Sequence, residues 1–86
     1  MTRAEAEDLL ERWGEEDCLF ADGFDDAIIG VTTIPGGCTV VAYSYEKCIE
    51  VLKAGMSEED AREYFEFNTI GAYVGPHTPV FVHTGV

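Results

Sequence analysis

Positive charge is scarce in this chain. Its 86 residues hold 5 Lys and Arg against 17 Asp and Glu, a net charge of −12. That balance argues against direct contact with DNA, RNA or an anionic membrane, because like charges repel over a Debye length of about 8 Å. Cysteine is sparse too. Cys18, Cys38 and Cys48 are odd in number and share no short repeated spacing, which argues against a disulfide framework and fits a reducing cytoplasm. With His77 and His83 they form no Cys-x2-Cys or His-x3-His pair, so no zinc pattern is present. Pro35-Gly36-Gly37 lacks the Lys-Ser/Thr that follows a phosphate loop. Nothing in the sequence marks a nucleophile–base pair, so no enzyme activity, cofactor or metal is expected. No apolar run approaches the length of a membrane span, and the start of the chain carries a helix signal where a leader would be basic and then apolar. The expectation is a cytoplasmic protein without signal peptide or transmembrane helix.

What is present suits one small domain, residues 1–86. Apolar residues make up 47%, too many for a disordered chain. Charge is segregated in blocks: residues 1–26 and 43–66 hold all of it, while 27–42 and 67–86 hold no Asp, Glu, Lys or Arg. The charged blocks read as helices and the uncharged ones as strands.

Thr2-Arg3-Ala4-Glu5 is a capping box that opens a first helix. Ala6, Leu9, Leu10 and Trp13 then share one side at helical spacing, and Gly14 ends the run. Ala27 to Thr33 and Cys38 to Tyr43 read as a hairpin turned at Pro35-Gly36-Gly37. Ser44 caps a second helix with Tyr45, Cys48, Ile49 and Leu52 inward, and Gly55 sits where a left-handed C-cap belongs. Ser57 opens a third helix with Ala61, Tyr64, Phe65 and Asn68 inward and Met56 as a staple to Ala61; Gly71 ends it. Gly75-Pro76-His77-Thr78 is a turn before a last strand, Pro79 to Thr84. The expected fold is α+β in the order α-β-β-α-α-β. Its three-stranded antiparallel sheet carries the helices on one face.

Three stretches resemble a group of short uncharacterised proteins of bacteria and their phages. They are Asp22-Gly23-Phe24-Asp25-Asp26-Ala27-Ile28-Ile29-Gly30-Val31, Lys47-Cys48-Ile49-Glu50-Val51-Leu52, and the run from Gly55-Met56-Ser57 through Glu63-Tyr64-Phe65-Glu66-Phe67-Asn68 to Thr78-Pro79-Val80-Phe81. The resemblance covers most of residues 22–82 and carries over no site residues. By size and charge layout, not by motif, the chain is also similar to acidic phage-encoded anti-CRISPR inhibitors, several of which are similar to nucleic acid in their charge.

The strongest functional lead is the outward stripe of the first helix, Glu7, Asp8, Glu11 and Glu15. Its carboxylates step along the axis at intervals comparable to the phosphates of a DNA strand, about 3.4 Å apart. Glu16, Asp17, Asp22, Asp25 and Asp26 extend that field. Like charges at i,i+4 cost a few tenths of a kcal/mol each, so the stripe is uneconomical if solvation were its sole purpose. Glu59, Glu63 and Glu66 form a secondary acidic patch on the third helix. The expected function is a non-enzymatic phage or mobile-element inhibitor, monomer or homodimer, that blocks the nucleic-acid-binding surface of a basic host protein such as a CRISPR effector. Two alternatives stay open. One is an accessory protein that oligomerises or joins a complex through an apolar sheet edge. The other is a divalent-cation binder at Asp22, Asp25 and Asp26, although those three lack the EF-hand spacing.

Overall fold

The computed structural model describes residues 1–14, 18–35, 38–70, 75 and 77–85. The elements are α1 (Arg3–Arg12), a single 3-10 turn (Asp25–Ala27), β1 (Ile28–Thr33), β2 (Thr39–Ser44), α2 (Tyr45–Leu52), α3 (Glu58–Phe65), a π-helical turn (Glu66–Ile70) and β3 (Val80–Val82). The chain order is the expected α-β-β-α-α-β. No described helix is long and apolar enough to cross a membrane.

Hydroxyl caps set all three α-helix starts. Thr2 Oγ1 accepts from the Glu5 amide at 3.1 Å, and Glu5 Oε1 accepts from the Thr2 amide at 2.9 Å. Ser44 Oγ accepts from Lys47 N and Ser57 Oγ from Asp60 N, each at 3.2 Å. Each cap satisfies an amide that the first helical turn leaves without a partner, worth about 1 kcal/mol. Helix α1 stops at Arg12 because Trp13 leaves helical geometry (φ −93°, ψ 4°) and Gly14 takes a left-handed φ of 75°. Trp13, expected on the apolar stripe, sits at this C-cap with its indole 70% exposed. The left-handed cap expected at Gly55 does not form: Gly55 is not among the positive-φ residues, and its amide donates to Leu52 O at 3.1 Å in a continuing turn.

The sheet has the order β1-β2-β3. Strands β1 and β2 pair antiparallel from Ile28↔Tyr43 to Thr33↔Thr39, with a bulge between Ile28 and Gly30. Strand β3 runs parallel to β2, pairing Ala42↔Val80, Tyr43↔Phe81 and Ser44↔Val82. The sheet is therefore mixed, and the antiparallel arrangement expected from the sequence is incorrect. The physical reason lies in the connection. Ser44 ends β2 and caps α2 at once, so the chain turns straight from strand into helix. Residues 45–79 then return it to the end where β2 began. A parallel neighbour needs such a crossover of a dozen residues or more. Alternation within residues 79–84 reports a strand and is silent on its direction. Gly36, Gly37, Gly71 and Pro76, expected in turns or as a helix stop, lie outside the described residues; the loop ends are joined by Ile34 N donating to Cys38 O at 2.7 Å and Thr78 N to Gly75 O at 3.2 Å.

As the central strand, β2 is buried at all six positions. Val41 and Tyr43 join Ala6, Leu10, Ile28, Cys48, Ile49, Ala61 and Phe65 in one core shared by the three helices. Val40 and Ala42, on the opposite pleat, are buried as well. Phe65 is the hub: its ring meets Phe24 at 5.4 Å, Tyr45 at 5.4 Å and Phe81 at 5.0 Å, all edge-to-face. Of the four residues expected inward on α3, only Ala61 and Phe65 are buried; Tyr64 is 49% exposed and Asn68 is exposed too. Helix α2 lies along the Glu58/Arg62/Glu66 flank of α3, and no described element covers the opposite flank, where Tyr64 sits. Asn68 Nδ2 donates to Tyr64 O at 3.1 Å, so it does satisfy a backbone carbonyl near the end of the helix.

Candidate functional site: acidic helix faces and the α2–α3 cleft

Helix α1 holds Glu7, Asp8 and Glu11 exposed, as expected from their spacing. Two of them are partly compensated from within the helix. Arg3 Nε lies 3.6 Å from Glu7 and Arg12 Nη2 lies 3.3 Å from Asp8, both at i,i+4. These exposed pairs contribute about 0.3–0.5 kcal/mol each. Arg3 also sits 3.9 Å from Asp22 and stacks 4.4 Å above the Phe20 ring. It thereby ties the start of α1 to the connector. Glu11 enters no ion pair with a described residue. Glu15, Glu16 and Asp17 lie outside the described residues.

The connector aspartates are placed differently from one another. Asp22 is at a turn tip, its side chain 98% exposed, with Gly23 at φ 89° beside it. Asp25 and Asp26 open the 3-10 turn. Asp26 is exposed, whereas Asp25 is half-buried and its Oδ1 is enclosed without a hydrogen-bond partner among the described residues. Among the described residues no group of three His, Cys, Asp or Glu is placed to hold a metal ion. The three aspartates are thus not gathered as a ligand set, and the cation-binding alternative loses its geometric basis.

The sequence does not disclose a cleft of about 390 Å³ between α2, α3 and the residue after β3, lined by Tyr45, Glu46, Ile49, Glu50, Glu58, Arg62, Glu66 and His83. Tyr45 stacks on His83 with ring centroids 4.3 Å apart and donates its hydroxyl to Glu66 at 3.4 Å. Lys53 stands 3.5 Å from Glu50 and 3.9 Å from Glu58, and Arg62 stands 4.0 Å from Glu58. The cleft's carboxylates are therefore largely engaged with one another's partners. Glu46 in particular acts as a clamp. Its Oε2 accepts from Thr84 N at 2.9 Å and Thr84 Oγ1 at 3.2 Å, and its Oε1 accepts from Gly85 N at 3.4 Å. Those contacts span 38 and 39 residues, which is why no local signal announces them.

The Thr84 amide, above all, pulls the Glu46 carboxyl from the ordinary 4.5 down to about 2. A folded-state pKa below the unfolded one means that the clamp contributes its full stability above about pH 4.5 and loses it as pH falls toward about 2. Replacing the clamp, Glu46→Ala, is expected to speed hydrogen exchange of the Thr84 and Gly85 amides about tenfold at neutral pH, the equivalent of one charge-assisted hydrogen bond. Equal exchange in both proteins, read by NMR, would show that the carboxylate does not hold this end.

Helix α3 carries Glu59 and Glu63, with Glu66 in the π-helical turn that follows; all three are exposed. Glu59 and Glu63 enter no ion pair with a described residue. Along the neighbouring stripe, Asp60, Glu63, Tyr64 and Phe67 follow at i, i+3, i+4 and i+7, and Phe67 is 83% exposed. Cys48 is fully buried and its thiol is pushed up to about 12 by burial; Cys18 Sγ donates to Thr39 O at 2.9 Å. No protein-family model, curated protein or solved structure matches the chain.

Proposed function

We propose that this chain is a non-enzymatic acidic binding protein that occupies the nucleic-acid-binding surface of a basic partner, in the manner of a phage anti-CRISPR inhibitor. One observation carries the reading. Twelve of the fourteen described acidic side chains are exposed, and Glu11, Asp26, Glu59, Asp60 and Glu63 enter no ion pair with a described residue. The four ion-paired Lys and Arg side chains among the described residues, Arg3, Arg12, Lys53 and Arg62, all serve carboxylates of this same chain. The surface therefore has uncompensated negative charge to give and little positive charge to answer with. Glu7 and Glu11 are separated by about 6 Å along the helix axis, close to two phosphate steps of a DNA strand. Carboxylates at that interval suit Lys and Arg pockets built for a nucleic-acid backbone.

Association of copies through an open sheet edge is less well supported. Strand β1 is bulged beside Ile29, and its first carbonyl, Ile28 O, already accepts from the Met1 ammonium at 3.3 Å. A bulge and an occupied carbonyl both blunt an edge. Strand β3 is only three residues long.

Competition is the direct test. Labelled target duplex bound to a guide-loaded CRISPR effector should be displaced by this protein, and the inhibition constant should rise about tenfold or more as ionic strength increases from low to well above physiological. Retention of the duplex across a panel of such effectors, or displacement that ignores salt, would count against the reading.

A further inference from the structure

We infer that Tyr64 and Phe67, with Glu63 beside them, form an arginine-receiving contact at the end of α3, the place where the acidic surface grips a basic partner protein. The inference rests on the reading above and names its anchor. Three observations meet at this point. Phe67 is 83% exposed and Tyr64 is 49% exposed, one turn apart on the same stripe. Together with Glu63 and Asn68 they line an open depression of about 380 Å³. That stripe carries Asp60 and Glu63, neither of which is ion-paired to a described residue, and the neighbouring Arg62 turns toward Glu58 instead, 4.0 Å away.

An exposed phenyl ring needs a partner of definite chemistry. A second copy of this chain, itself at a net −12, would meet this face with like charge, and like charges across a contact are penalised. An apolar partner would have to strip water from Asp60 and Glu63 without pairing them, which is costly. A guanidinium meets both demands. Its flat face stacks on an aromatic ring, where the ring's quadrupole attracts it, while its edge donates two parallel hydrogen bonds to a carboxylate. Lysine makes the charge contact but neither stacks as a plane nor pairs bidentately. The structure itself shows the stacking mode elsewhere: Arg3 lies 4.4 Å over Phe20 while reaching Asp22. The π-helical turn beginning at Glu66 widens the backbone where the contact is made, a feature that recurs at functional sites.

The test uses the full chain with fluorescent nona-arginine and nona-lysine peptides of equal charge, read by anisotropy at low and high salt. The arginine peptide is expected to bind about fivefold more tightly. Phe67→Ala and Phe67→Leu should both abolish that preference, the second because it keeps apolar area but has no π face; Glu63→Gln should reduce arginine binding about fivefold. Because Phe67 is exposed, circular dichroism and thermal midpoint should match the parent. If both peptides bind equally, salt-sensitively and without regard to Phe67, the aromatic contact is refuted while the acidic reading stands. If neither peptide binds, both fall.

Discussion

Converting Glu7, Asp8, Glu11 and Glu15 to Gln, Asn, Gln and Gln is expected to weaken displacement of duplex from a basic partner about a hundredfold. Each exposed carboxylate–cation contact is worth about 0.5–1 kcal/mol, and four lost together give that order. The change also leaves Arg3 and Arg12 without the Glu7 and Asp8 carboxylates they now face, so positive charge is left uncompensated on α1. Stability should hardly move. Two i,i+4 attractions disappear, but so does the Glu7/Glu11 repulsion, a few tenths of a kcal/mol. The thermal midpoint should stay within a few degrees. A parallel set, Glu59, Glu63 and Glu66 to Gln, tells the two faces apart: the set whose loss abolishes competition marks the face engaged. Undiminished inhibition by the α1 set would remove that helix from the mechanism.

The second large effect concerns folding. Phe65→Ala should cost about 3–5 kcal/mol and lower the thermal midpoint by more than about 15 °C. Phe65 is fully buried and its ring holds Phe24, Tyr45 and Phe81 simultaneously. Each edge-to-face pair adds about 0.5–1.5 kcal/mol beyond the buried area. A domain of this length has a total stability of roughly 4–13 kcal/mol, so the truncation removes a large share of it. Differential scanning calorimetry decides the matter; a midpoint within a few degrees of the parent would mean that the core reorganises around the void. Phe65→Leu, which keeps most of the volume, should recover more than half of the loss.

Much of this fold is legible from local chemistry. Thr2, Ser44 and Ser57 are short hydroxyl side chains directly ahead of helical apolar spacing, and all three cap as that pattern predicts. Ala6, Leu10, Cys48, Ile49, Ala61 and Phe65 lie inward as their periodicity requires. The exposure of Glu7, Asp8 and Glu11 on α1 and of Glu59 and Glu63 on α3 follows from the same spacing. What escapes is non-local. Strand direction in β3 depends on a crossover and not on the strand's own residues. The exposure of Tyr64 depends on which flank α2 takes. The Glu46 clamp and the cleft depend on residues nearly half a chain apart. Phe67, an aromatic at helical spacing, reads as core, yet it stands 83% exposed on the flank opposite α2.

The direction of β3 also governs the order of events when the chain folds. The β1–β2 hairpin and the α2–α3 pair each close over short stretches of chain and can form early. The last pairing brings together Ser44 and Val82, and loop closure of that length carries its entropic cost before any strand contact compensates it. Assembly is therefore slower than in a three-strand meander of equal size. Until it finishes, one side of β2 remains unpaired, a transient opening at which two nascent chains could exchange their terminal strands.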